Sequence, residues 1–140
     1  MSNLSATILT IFSAAIMLIF GFTYLIKDKF MSYHSVALKK NWEELDTQMQ
    51  TFIKALMRVI SGGSLSSGFT IMFLQYQFNK LPQHWIALTV LICGGILGLS
   101  SLFGMLMIRT KTDGRPPIFI VLIALFTLII GYFLNINYLP

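Results

Sequence analysis

Residues 85–108 read WIALTVLICGGILGLSSLFGMLMI, a run without a single Asp, Glu, Lys, Arg or His. As a helix rising 1.5 Å per residue it covers about 36 Å, more than the ~30 Å hydrocarbon thickness of a bilayer. It lacks the strict apolar–polar alternation of a barrel strand, and hydrocarbon offers backbone groups no partner outside the segment, so a membrane-spanning helix is the reading that satisfies it. Three further runs behave alike, at about 5–26, 59–78 and 116–134, each free of ionisable residues in its interior. The chain as a whole is 56% hydrophobic and 11% charged, whereas soluble domains run nearer a quarter charged. These features predict one domain over 1–140, an all-α integral membrane four-helix bundle running up-down-up-down.

Cations orient it. Lys27, Lys29, Lys39, Lys40, Lys54 and Arg58 fall between the first two spans, Arg109, Lys111 and Arg115 between the last two, and only Lys80 lies on the other side. The bias of Lys and Arg toward cytoplasmic loops places both termini outside. Tyr76, Trp85, Tyr132 and Tyr138 then sit at the outer boundary and Tyr24, Tyr33 and Trp42 near the inner one, as expected of an aromatic belt. The net charge of +5 is accounted for by this retention and by attraction to anionic lipid, so no nucleic-acid partner is implied. The first apolar run is preceded by no Lys or Arg and extends to Ile26, too long for a signal peptide, and is expected to stay as the first span.

The cytoplasmic loop, about 27–58, is the one sizeable polar segment. Leu45, Met49, Phe52, Ile53, Leu56 and Met57 recur at helical spacing, which predicts an amphipathic helix at the inner interface. Asp46 suits its N-cap, and the helix can run on into the second span. Arg58 falls at a depth from which it snorkels to the inner phosphates. Asn79 to His84, with Pro82, and Thr112 to Pro117, with Asp113-Gly114 and two prolines, read as tight turns joining antiparallel helices.

Small residues carry most of the remaining information. Gly63, Ser64, Ser67 and Gly68 share a face of the second span, and Gly94 and Gly98, extended by Ser101, form a GxxxG face in the third. Their depths overlap, so the two faces are expected to meet inside the hairpin and let the backbones approach. The competing uses are a homo-oligomer face and a cavity lined by hydroxyls.

Chemistry is conspicuously missing. His34 and His84 fall on opposite sides and cannot share a metal. Cys93 is single and lies in an apolar run, which fits packing. All five acids, Asp28, Glu43, Glu44, Asp46 and Asp113, are in loops, leaving no intramembrane ionisable group for proton coupling. Gln75, Gln77, Asn79, Asn135 and Asn137 read as interfacial amides rather than a vestibule. No nucleophile elbow, phosphate loop, metal-ligand spacing or carboxylate pair occurs. No cofactor and no enzymatic activity are expected.

The stretch Tyr33-His34-Ser35-Val36-Ala37-Leu38, then Trp42-Glu43-Glu44-Leu45, Arg58-Val59-Ile60-Ser61-Gly62-Gly63 and Gly114-Arg115-Pro116-Pro117 resembles small bacterial inner-membrane proteins of four spans to which no activity is assigned. The similarity covers most of the chain and implies a bacterial cytoplasmic membrane, but no site. The expectation for function is an accessory or scaffold protein. It would act through lateral contacts with a membrane-protein partner or another copy, or through the loop residues Tyr33, His34, Trp42, Glu43 and Arg58. The alternative is a homo-oligomeric small-solute transporter or pore lined by Gly63, Ser64, Ser67, Gly94 and Gly98. A lipid-directed enzyme using His34 ranks last, for want of a second catalytic group.

Overall fold

The computed structural model describes residues 4–139 and is all-helical, with no strand among them. Its helices are α1 (Leu4–Ile26), α2 (Ser32–Leu38), α3 (Thr47–Lys80), α4 (His84–Lys111) and α5 (Ile118–Ile136), with one 3-10 turn at Trp42–Glu44. Met1-Ser2-Asn3, the residues without Lys or Arg that precede the first apolar run, lie outside the described residues.

Three helices, α1, α4 and α5, are long and apolar enough to cross a membrane. This marks the chain as a membrane protein. Large apolar side chains point outward along these helices, among them Ile19, Ile96, Phe103 and Phe126, as lipid rather than water requires. The fourth run expected to span, 59–78, lies in α3, which has ample length but is diluted by its own small residues. Within 61–68, SGGSLSSG, only Leu65 is strongly apolar.

The ends of α3 follow from local chemistry. Asp46 caps it, its carboxylate accepting the Met49 N–H at 2.8 Å, and the helix continues unbroken to Lys80. Residues 47–58 are therefore the first turns of one ~51 Å rod rather than a separate helix lying flat. Leu81-Pro82-Gln83 turns the chain into α4, and Pro116-Pro117 stands immediately before α5, since neither proline can donate to a preceding turn.

α1 packs on α3 and α5, and α4 on α5 and α3. Ala14, Met17, Ile71, Val90 and Leu128 fill the centre. The small faces find other neighbours than expected. A side chain at Gly68 would strike Leu18 and the Ala14 carbonyl on α1, and one at Gly94 would strike Leu128 of α5 at 2.5 Å. Gly98 likewise abuts Leu125 of α5, whereas Gly63 faces open space. So α3 uses its smooth face against α1 and α4 uses its GxxxG against α5; the two faces do not meet in the α3–α4 hairpin.

Away from the basic loops, the amides resolve into a clasp. Asn135 Nδ2 donates to Gln75 Oε1 at 2.9 Å, Gln75 Nε2 to Asn79 Oδ1 at 3.1 Å, and Thr7 Oγ1 to Asn79 Oδ1 at 3.0 Å. Gln75 and Asn135 are 1% and 2% exposed, so they tie α1, α3 and α5 together rather than ring a vestibule. Such bonds contribute about 0.6–2 kcal/mol each in a membrane setting.

Candidate functional site

At the basic end, residues 27–46 fold into a cap over the helix ends. Its core is aromatic: Tyr24, Phe30, Trp42 and Met57 are buried together, with the Phe30 and Trp42 rings edge to face at 5.1 Å. An edge-to-face pair adds about 0.5–1.5 kcal/mol beyond its burial. Trp42 is 8% exposed, so it and Tyr24 belong to the cap interior and not to an interfacial belt. At the opposite end Tyr76 and Trp85 are exposed.

Polar groups lock this core in place. The hydroxyls of Tyr24 and Tyr33 are 2.6 Å apart, joining α1 to α2. Asn41 and Glu44 close the 3-10 turn, the Asn41 N–H donating to Glu44 Oε2 at 2.9 Å. Gln50 Nε2 donates to the Trp42 and Leu45 carbonyls at 2.9 and 3.1 Å, fastening that turn to α3. Lys29 pairs with Glu43 and Lys39 with Asp113, the second pair linking α2 to the α4–α5 turn.

Arg58 works differently from a snorkelling anchor. Its Nη1 donates to the Tyr24 carbonyl at 2.6 Å and the Lys27 carbonyl at 3.2 Å, while Nη2 lies 3.6 Å from Asp28. The last carbonyls of a helix have no intrahelical donor and carry its negative dipole end. The guanidinium of α3 therefore caps the C-terminus of α1.

His34 sits at the third helical position of α2, where its Nδ1 accepts the Met31 N–H at 3.2 Å. An accepting Nδ1 leaves the ring proton on Nε2. Its ring lies against Tyr33 and Phe30, with centroids at 4.1 and 6.1 Å, and burial holds its pKa below the ordinary 6.5. A second proton would occupy Nδ1 and break the Met31 bond. Because the folded form binds that proton less readily than the unfolded chain, stability is lost as pH falls below 6.5 toward the lowered folded value. The protection factors of amides 32–38, each rate taken against its intrinsic rate at the same pH, are expected to fall between pH 7.5 and 5.5, and His34→Gln to flatten that response. Protection with no excess pH dependence over residues 84–111 would contradict it.

Of the loop residues singled out from sequence, Trp42 is buried, Tyr33, His34 and Arg58 are half-buried, and only Glu43 lies fully outward, on Lys29. The cap brings them together as its own framework. Of the small residues, Ser64, Gly98 and Ser101 border one narrow cavity among the long helices, whereas Gly94 is closed off by Leu128 and Gly63 borders the separate cavity between α3 and α4; the Ser64 hydroxyl donates to the Ile60 carbonyl at 2.9 Å. Ser101 borders a cavity between α3 and α4 at the basic end. Phe30 and α2 itself were not foreseen from the sequence, although the apolar positions 30, 31, 33, 37 and 38 are a readable signal of a short packed helix.

No group of three or more His, Cys, Asp or Glu is placed to hold a metal among the described residues. Comparison with protein families, with curated proteins and with solved structures finds no match to this chain.

Proposed function

We infer that this chain is a four-span membrane protein of the bacterial cytoplasmic membrane, with α3 as the fourth span, both termini outside and the cap inside. In this reading it is a non-enzymatic accessory or scaffold protein whose inner cap is the interaction platform. One observation carries the proposal. Helix–helix connections need about 2–8 residues, and α3 is joined to α4 by three, whereas residues 27–46 are ordered into α2, a 3-10 turn and an aromatic core. Fixing each residue opposes folding by about 1–2 kcal/mol of backbone entropy, so this elaboration exceeds what joining two spans requires. With Tyr33, Trp42 and Arg58 consumed by the framework, and Glu44 and Asp46 engaged in closing the 3-10 turn and capping α3, the outward face available to a partner is the exposed Lys29–Glu43 rim.

The test is co-purification of the full chain in mild detergent beside the double variant Lys29→Glu, Glu43→Lys. It keeps the ion pair but inverts the surface pattern. Loss of a stoichiometric partner with an unchanged unfolding temperature is the expected result; an unchanged partner set would reject the platform. Reporters fused after Pro140 test sidedness separately.

A further inference from the structure

α3 and α4 are in close contact around Phe78, Ile86 and Ala87 and part toward the basic end, where side chains added at Gly63 or Gly104 would meet nothing within 4 Å. The gap is a groove of about 610 Å³, roofed by α2 and walled by Leu38, Phe52, Leu56, Ile60 and Ile108. A deeper cavity of about 340 Å³ adjoins it, sharing Tyr24, His34, Ile60 and Ile108 and reaching Leu97. From Thr112 to Leu97 the pair runs about 22 Å along α4, compared with about 15 Å for the hydrocarbon of one leaflet.

We propose that this groove binds one anionic phospholipid, an acyl chain lying between α3 and α4 under α2 and the headgroup phosphate held at the Lys40 mouth. The lining sorts by depth as such a molecule does. The interior is largely apolar, with Ser100 and Ser101 as its deep hydroxyls, and offers an acyl chain the close van der Waals contacts that drive packing where no water is expelled. Lys40 is the cation in the wall of the groove. Among the described residues it has no carboxylate partner, whereas Lys29, Lys39 and Arg58 each have one. Thr112, also at the mouth, borders a polar cleft containing Arg109, Arg115 and Asp113; with Asp113 already paired to Lys39, the cleft adds net positive potential on the far side. His34 stands where the two zones meet, lining both cavities with Nδ1 already engaged, so its Nε2–H is the donor available to an ester carbonyl.

Other occupants fit less well. A partner helix about 10 Å across needs more room over this length than the deeper cavity provides, and a free phosphate would leave the apolar wall unused. The inference rests on the four-span reading but not on the cap acting as a partner platform or on which side the cap faces.

The experiment is native mass spectrometry of the full chain in mild detergent, supplied with phosphatidylglycerol or phosphatidylcholine of identical acyl chains. One phosphatidylglycerol per chain is expected, favoured about tenfold over phosphatidylcholine, as one charge-assisted contact allows. Lys40→Gln, a surface change, should abolish the preference, and Lys80→Gln at the other end should leave it intact. Ala37→Trp, with Leu38→Trp as a second groove-filling variant, should lower retention of both lipids about tenfold or more. Equal retention of the two lipids, no response to Lys40→Gln, or displacement by an equal concentration of inorganic phosphate would each overturn the proposal. So would a second copy of the chain held in place of lipid. These outcomes are independent of reporter fusions and of partner co-purification, so failure here is separable from failure of the proposed function.

Discussion

Gly94→Leu is expected to destabilise the protein by at least ~3 kcal/mol, while Gly95→Leu, one residue along, is neutral or slightly stabilising. At Gly94 even a Cβ would stand 2.5 Å from Leu128, 3.1 Å from Ile71 and 3.2 Å from Met17. Those residues come from α5, α3 and α1, so the new side chain enters the point where all the long helices converge. Overpacking of a filled core costs about 1–3 kcal/mol and more when no neighbour can yield. Three helices held by close approach rather than by expulsion of water would all have to move. At Gly95 nothing lies within 4 Å, and exchanging glycine for a good helix former recovers about 0.5–1 kcal/mol. Thermal unfolding in one detergent measures both. Similar effects at the two positions would refute the packing at Gly94, and tolerance at Gly94 would favour the lined-path alternative.

Arg58→Leu is expected to cost about 2 kcal/mol and to loosen the cap. The guanidinium satisfies the Tyr24 carbonyl in the last turn of α1 and the Lys27 carbonyl just beyond it, and faces Asp28; hydrogen bonds from a charged donor are worth about 1.5–3 kcal/mol. Leucine keeps the apolar contacts of the stem and isolates this loss. Arg58→Lys, with a point charge in place of a fork, should restore about half of it. Unfolding temperature and Trp42 emission in a Trp85→Phe background report the two consequences. An Arg58→Leu protein with native emission and stability would mean that Arg58 anchors to lipid instead.

Burial at this end of the molecule explains why the cap was only partly legible beforehand. Trp42 and Tyr24 carry the composition of an interfacial belt, and nothing in their spacing distinguishes a ring facing headgroups from one packed on Phe30. The partner ring lies twelve residues away, outside any helical repeat. His34 and Tyr33 stood out as polar residues near a boundary. Tyr33 meets the Tyr24 hydroxyl only because of where α2 is laid across the end of α1, while His34 accepts the Met31 N–H locally, three positions back, a role that the residue type does not signal. Asp46, by contrast, was readable, because an N-cap acts on an N–H only three positions ahead. Gln75 and Asn135 appeared as unrelated amides because the bond between them joins helices 60 residues apart.

What the chain's order of residues determined alone was its solvent and its segments. Long apolar runs admit only helices in hydrocarbon, and α1, α4 and α5 emerged close to the expected limits, because backbone hydrogen bonding is local and leaves no other solution. Which smooth face meets which helix was decided only in three dimensions. Without a hydrophobic drive between helices in lipid, the choice rests on fit: Leu18 and Ala14 against Gly68, Leu128 and Leu125 against Gly94 and Gly98. A periodic pattern marks a face as smooth, but it carries no information about the shape of the surface that will be pressed against it.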